Sequence, residues 1–408
     1  MTEAPRNLWR NREFNLLWVS QSLSDLGNAI ATLAVPLLVL ALGYTPVQAG
    51  LVGTVGLVTM VLCRLPAGVL VDRIDRRRIM LCCDAVRLVA YLALSLVVLR
   101  GAATLPLVVA VAVVGAAASA FFGTAEHSAL RSIVWPDQLP SAVARNEARA
   151  YATALAGPPI GGLLFGLHRS LPFVGNALTF LMSLIGVALL RRPLQEPRAG
   201  PPGGHAAALL EGLRFVFGNP FLRAILLIAA PLNFAIQGII FTIIVTLQQH
   251  GTPPAIIGTV EAVVAVGGLL GAFAAPALHR RLRLPVLIRG ICWAAAGLMA
   301  VSSLFISSVA AAAPIGAAVF LGPASNAALF GHQAAITPDR LQGRVVSVVI
   351  VVATSVASAA PLAAGTLITA WGGSATVLVF AACVAGSAVA ASVSRGIRSM
   401  RPVPELTG

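Results

Sequence analysis

Twelve apolar runs follow one another along this chain, and they decide what it can fold into. They lie near 14–42, 47–71, 79–99, 105–125, 143–166, 171–190, 222–248, 254–278, 284–306, 308–333, 342–369 and 371–394, divided by Arg, Gly and Pro. A helix needs about 20 apolar residues to cross the roughly 30 Å hydrocarbon core of a bilayer. In lipid the backbone must satisfy its own polar groups, as a helix does. The expected fold class is therefore an all-α membrane protein of about twelve transmembrane helices. Composition argues the same way: 58% of the 408 residues are hydrophobic and 10% charged, against roughly 25% charged in a soluble domain. Twelve spans with short loops leave no room for a sizeable soluble domain. The first run is too long for a secretory signal and lacks a small-residue cleavage site, so it is expected to remain as the first span.

The net charge of +14 suggests nucleic acid in a soluble protein, but its placement points to a membrane instead. All 28 basic residues are Arg, and most fall in alternate loops. Arg6, Arg10 and Arg12 precede the first span, and Arg73, Arg76, Arg77 and Arg78 separate the second from the third. Arg131 and Arg145, then Arg191, Arg192 and Arg198, then Arg280, Arg281 and Arg283, then Arg340 and Arg344 follow at every second loop. Arg395, Arg398 and Arg401 close the chain, while the opposite loops hold little besides Arg100 and Arg169. Positive residues stay on the cytoplasmic side, which places both termini there. The five cysteines (Cys63, Cys82, Cys83, Cys292 and Cys383) sit in or beside apolar stretches without metal-ligand spacing, and read as small buried hydrophobes. No metal site and no cofactor are expected.

The chain also repeats itself. Trp135-Pro136-Asp137-Gln138-Leu139 after the fourth span matches Thr337-Pro338-Asp339-Arg340-Leu341 after the tenth, and the same offset carries Pro159 onto Pro361. Thr45-Pro46 before the second span recurs as Thr252-Pro253 before the eighth, and Gly68 with Arg77-Arg78 recurs as Gly271 with Arg280-Arg281. These matches divide the chain into an N-terminal six-helix half (1–190), a connector (191–221) and a C-terminal six-helix half (222–408). Within the connector, the breaker Pro197–Gly204 precedes His205–Phe217, which reads as a short amphipathic helix on the inner membrane face. Repeated halves with a site at their midplane mark an alternating-access transporter.

The string Gly68-Val-Leu-Val-Asp72-Arg73-Ile-Asp75-Arg76-Arg77-Arg78 between the second and third spans resembles the loop motif of the major facilitator superfamily. That resemblance implies the major facilitator fold, two pseudo-symmetric six-helix halves. It also implies that Gly68 admits a close helix neighbour and that Asp72 pairs with Arg in one conformation only, a gate. The bland reading is a basic loop that fixes topology. Gly157-Pro158-Pro159-Ile160-Gly161-Gly162 in the fifth span resembles the end of a motif of the antiporter branches; ordinary small-residue packing is its plain reading. Asn11–Trp18 with Ser24–Asn28, Phe121–Glu126 and Glu211–Phe215 resemble the branch of siderophore, macrolide and other small-molecule exporters.

An ionisable group inside a membrane is costly and draws a functional hypothesis. Asp25 lies mid-span with Gln21 and Asn28 about one turn away on the same face, which suits proton or substrate coupling; a hydrogen-bonded structural Asp is the other reading. Glu261 stands alone among apolar neighbours in the eighth span and is a second proton candidate. Glu126, at the end of the fourth, is a third; pairing with Arg131 or Arg64 gives it a structural role. Asp84 and Arg87, three apart on the third span, read as an intrahelical pair. Arg149 reaches deepest of the charges opening the fifth span and is placed to meet an anionic group. Asn233, Gln237 and Asn326 suit either substrate hydrogen bonds or interhelical contacts.

The function expected is secondary active transport, a proton-coupled export of a small, partly apolar molecule of drug, macrolide or siderophore type. An importer or facilitator on the same fold is the alternative. An integral-membrane enzyme is remote, because the six His residues are scattered and no convergent acid cluster is evident; a channel lacks a filter-like loop. The expected partners are the substrate, protons and the lipid bilayer, without nucleic acid, for a monomer in the bacterial cytoplasmic membrane.

Overall fold

A computed structural model describes residues 8–191, 194, 205–281, 284–338 and 341–394. Those residues form helices and no strand. The first seven are α1 (Arg12–Ala41), α2 (Pro46–Arg73), α3 (Arg76–Leu99), α4 (Leu105–Ile133), α5 (Leu139–Leu167), α6 (Leu171–Ala188) and α7 (His205–Gly218). Then come α8 (Pro220–Gln249), α9 (Pro254–Ile257), α10 (Thr259–Arg281), α11 (Leu284–Ser302), α12 (Ala312–Phe320), α13 (Gly322–Ile336), α14 (Gln342–Ser358) and α15 (Ala360–Val393).

Local chemistry sets the ends. Asn11 caps α1 by accepting from Phe14 N, and Thr45 with Gln48 forms a reciprocal box before Pro46 opens α2. Asn219 accepts from Phe221 N and Leu222 N ahead of Pro220. Each satisfies amide groups that a helix start leaves without a partner. Proline also divides the later spans. The expected tenth span is two helices, α12 and α13, with Pro323 in the first turn of the second; the eleventh breaks at Ala359, with Pro361 just beyond. Proline tolerates a first turn and disrupts a helix interior.

Eleven described stretches are long and apolar enough to cross a membrane, and one of them, Gln342–Val393, has 52 residues. A helix of that length is about 78 Å long at 1.5 Å per residue, far beyond one bilayer. Gly372 resolves the excess: its φ of 78° and ψ of 171° interrupt α15, a conformation that glycine adopts freely. The stretch is two crossings, so the total agrees with the twelve runs.

The chain divides into two compact units, Met1–Ala199 with Gly251–Ala262, and Gly200–His250 with Val263–Gly408. In the first unit α1 packs on α5 and α6, α3 on α4 and α6, and α2 on α4. In the second, α8 packs on α14 and α15, and α11 on α12 and α15. Gly267 and Gly271 of α10 lie against the backbone of Gly316 and Phe320 on α12. The same pattern of neighbours thus recurs in both units, as the internal sequence matches require. Helix α7 is part of the second unit. Val216 is fully buried there, Gly212 meets Arg344 and Val348 of α14, and Glu211 pairs with Arg344. The connector helix therefore spends part of its apolar face, at Val216, on protein packing, while Phe217 is exposed.

Large apolar side chains cover the outside: Phe273 and Leu304 are each 77% exposed. In water such a surface is an aggregation hazard; in a bilayer it meets its own kind of solvent.

Candidate functional site

Register between α1 and α5 builds the site. Trp18 Nε1 donates to Arg145 O (3.4 Å) near one end, and Arg169 Nη1 donates to Ala41 O (3.2 Å) near the other. Between them, Gly157 lies against Ala29 and Gly161 against the Ile30 backbone, where an added Cβ would stand 2.9 Å from Ile30 O. The two helices run parallel at a nearly constant offset along this length. The small residues of the Gly157–Gly162 motif let the backbones approach. Two turns before that contact, the same offset brings Arg149 onto Gln21.

Arg149 is the hub of a charged cluster. Its Nη1 donates to Gln21 Oε1, and its Nη2 lies 3.2 Å from Asp25 Oδ2 and 3.6 Å from Glu126 Oε1. Arg149, Glu126 and Gln21 are buried, whereas the Asp25 side chain is 39% exposed and gives access to the group. Glu126 thus pairs with Arg149; of the two partners the sequence suggested, Arg64 is exposed, and the Arg131 side chain lies outside the described set. The reason is tertiary, since Arg149 arrives from a different helix through the α1–α5 register.

A second polar group lies beside the first. Arg87 and Asp84 form the expected intrahelical pair (2.5 Å), and both are buried. Asp84 also accepts from Ser183 Oγ of α6 (2.7 Å), and the Arg87 guanidinium lies between the rings of Phe122 (4.7 Å) and Phe180 (4.4 Å). Ser119 Oγ, 3.4 Å from Arg87 Nη1, is also 3.4 Å from Asn28 Oδ1. Sequence reasoning had Phe122 only within the Phe121–Glu126 string, and it missed Ser119, Ser183 and Phe180. Each lies on another helix with no local pattern to single it out.

The loop motif is built differently from what its residues suggested. A Cβ at Gly68 would meet nothing within 4 Å, so the close approach expected there is not found among the described residues. Asp75 caps α3, accepting from Arg77 N (2.8 Å) and Arg78 N (3.2 Å). Its φ is −52°, so this turn needs no glycine. Arg76 donates to Ser128 O (3.0 Å) and Leu194 O (2.7 Å), and Arg77 to Val187 O (3.3 Å) and Ala188 O. Val187 and Ala188 are at the end of α6, where a cation suits the free carbonyls. Arg73 and Arg78 are exposed; the side chain of Asp72, in the last turn of α2, lies outside the described set.

Remaining candidates are dispersed. Gly162 meets Pro254 O, and Gly258 meets Pro158 O with Pro159 Cα 2.9 Å from an added Cβ, so the motif in α5 also seats α9. Glu261, in the first turn of α10, is half-buried and makes no hydrogen bond or ion pair among the described residues. In the second unit Asn233, Gln237 and Asn326 are exposed, and Asn233 Nδ2 donates to Ala229 O (2.8 Å) in its own helix.

A family model described as Major Facilitator Superfamily matches residues 17–358. The multidrug efflux pump Tap of Mycolicibacterium fortuitum is 28% identical over 275 residues, covering 62% of this chain and 64% of the pump. The pump of the same name from Mycobacterium tuberculosis is 28% identical over 287 residues, 65% of each chain. The chain thus spans just under two thirds of the length of these relatives. Among solved structures, a bacterial homolog of the human lysosomal transporter Spinster, inward-facing and unoccupied, aligns with a TM-score of 0.76 at 18% identity, over 98% of this chain and 100% of the other. A bacterial homologue of the iron transporter ferroportin, inward-facing, gives 0.71 at 18% identity, over 95% and 99%. At such identities the likeness is one of fold.

Proposed function

From the premise that the chain belongs to the Major Facilitator Superfamily, and so is a multi-pass membrane transporter rather than an enzyme, we propose that it exports a small, partly apolar molecule in exchange for protons. The observation that carries this reading is the Arg149 cluster: two carboxyl groups from α1 and α4 share one guanidinium from α5 inside the first unit. A buried carboxyl group held by a shared cation can lose and regain a proton as its surroundings change, which is what coupling needs. The pumps named Tap, described as multidrug efflux pumps, support export over import. Alternating access then works between an N-terminal half (1–190) and a C-terminal half (222–408), with 191–221 as connector. Asp72 with the Arg76–Arg78 loop serves as a gate on the cytoplasmic side. The Arg-rich alternate loops support a topology with both termini cytoplasmic, for a monomer in a bacterial cytoplasmic membrane.

The test is dye and antibiotic efflux from pump-deficient bacteria expressing the wild type or Asp25→Asn, with and without a protonophore. Export by the wild type should vanish with the protonophore and fall at least tenfold in the variant. Export that persists under the protonophore ends the proton-driven reading. Persistence in Asp25→Asn alone removes that residue from coupling.

A further inference from the structure

Hydrogen-bond polarity runs one way from α3, through α4, to α1. Asp84 accepts at both oxygens, from Arg87 Nη2 (2.5 Å) and from Ser183 Oγ (2.7 Å). Arg87, buried between the rings of Phe122 and Phe180, has donors alone and never accepts. Ser119 Oγ, 3.4 Å from Arg87 Nη1, must therefore accept from it, and its own O–H is aimed at Asn28 Oδ1, also at 3.4 Å. Both contacts are long, so they set direction more than they add strength. With Oδ1 taken, Asn28 turns its two Nδ2 protons the other way.

Those protons have no acceptor. Asn28 is half-buried, and its Nδ2 makes no hydrogen bond among the described residues. Gln21, seven residues earlier on the same face of α1, shows the same polarity. Its Oε1 accepts from Arg149, and its buried Nε2 has no partner among the described residues. An amide N–H kept from water without an acceptor is costly, so both amides ask for an oxygen. Asp25 lies between them on that face, 39% exposed, and its carboxyl group tells against an anion as the missing acceptor.

We propose that Asn28 is a specificity-determining residue that donates to an uncharged acceptor on the transported molecule: a ketone, ester or lactone carbonyl. Ser119 and Arg87 are its positioning residues, because they fix which end of the amide faces the substrate. The proposal rests on the export reading above and names its substrate class. A site built to give a hydrogen bond rejects an analogue that lacks the acceptor, since its own donor is then stranded.

The probes are propionyl-dimethylaminonaphthalene, a neutral fluorescent ketone without a donor, and its propyl analogue, which lacks the carbonyl. Each is titrated by equilibrium dialysis onto the purified full-length protein in nanodiscs, with empty nanodiscs subtracted. The wild type should bind the ketone at least roughly tenfold more tightly than the analogue. The infrared carbonyl stretch of the bound, isotope-labelled ketone should move to lower frequency. Asn28→Leu, close in volume and without donors, should bring the affinity ratio to about one. Ser119→Ala should cut the ratio roughly threefold or more, and Ser119→Thr, which keeps the hydroxyl, should restore it. A variant that merely loosens packing weakens both probes alike and leaves the ratio unmoved. If Asn28→Leu fails to fold, the wild-type ratio and the two Ser119 variants decide alone. No preference for the ketone in the wild type, a preference that survives Asn28→Leu, or equal ratios in Ser119→Ala and Ser119→Thr overturns the proposal. A wild type that binds with this preference but does not export the ketone from cells overturns the export reading and leaves the donor site standing.

Discussion

A guanidinium that serves two carboxyl groups is held by them as much as it holds them. Arg149 is buried, so removing it strands Glu126 and leaves Asp25 with solvent alone. Breaking a buried pair by deleting one partner costs about 3–5 kcal/mol. Arg149→Ala should therefore lower the unfolding midpoint of the purified protein, by chemical denaturation, more than Glu126→Gln, which leaves Arg149 paired with Asp25. A smaller loss in Arg149→Ala than in Glu126→Gln contradicts the role of Arg149 as the shared partner of the two carboxyl groups. The other buried pair illustrates the same rule. Arg87 is enclosed by Asp84, Ser119 and two aromatic rings, so its charge is matched where it lies.

Helix α5 does more than carry a charged residue. Its glycines set its distance from α1, and that distance places Arg149. At Gly157 an added Cβ would overlap Ala29, so Gly157→Leu must push the helices apart and pull Arg149 off Asp25 and Gln21. Overpacking typically costs about 1–3 kcal/mol; the larger effect should be on transport, with export reduced to background. Gly166→Ala is the control, because its Cβ would meet only Pro254 Cδ at 4.0 Å and should leave export unchanged. Equal export by the two variants would falsify the register argument. The residues of this motif were legible from their small size and two prolines. Their partners, Ala29, Ile30, Pro254 and Gly258, were not, since close approach is a property of two surfaces. Gly68 shows the converse: a motif glycine whose surroundings are open.

For the whole molecule, proton exchange would make the pH gradient the driving force of export. In proteoliposomes, an imposed pH gradient should drive movement of a transported dye, and a protonophore that collapses the gradient should stop it. Each net charge moved per cycle would add about 2.3 kcal/mol per 100 mV to the driving force. Movement that persists after both gradient and potential are collapsed excludes proton exchange.

Apolar run length, loop arginines and the internal repeat fixed the fold class, because each depends only on the chain and the bilayer: hydrocarbon thickness sets the span, and headgroup charge sorts the loops. The tertiary structure alone decided which charges meet. Asp25 lies more than a hundred residues before Glu126 and Arg149 along the chain, and the three lie on three helices. Nothing local to any of them specifies the others. Their meeting follows from the α1–α5 register and the packing of α4, which bring the Arg149 guanidinium within reach of two carboxyl groups.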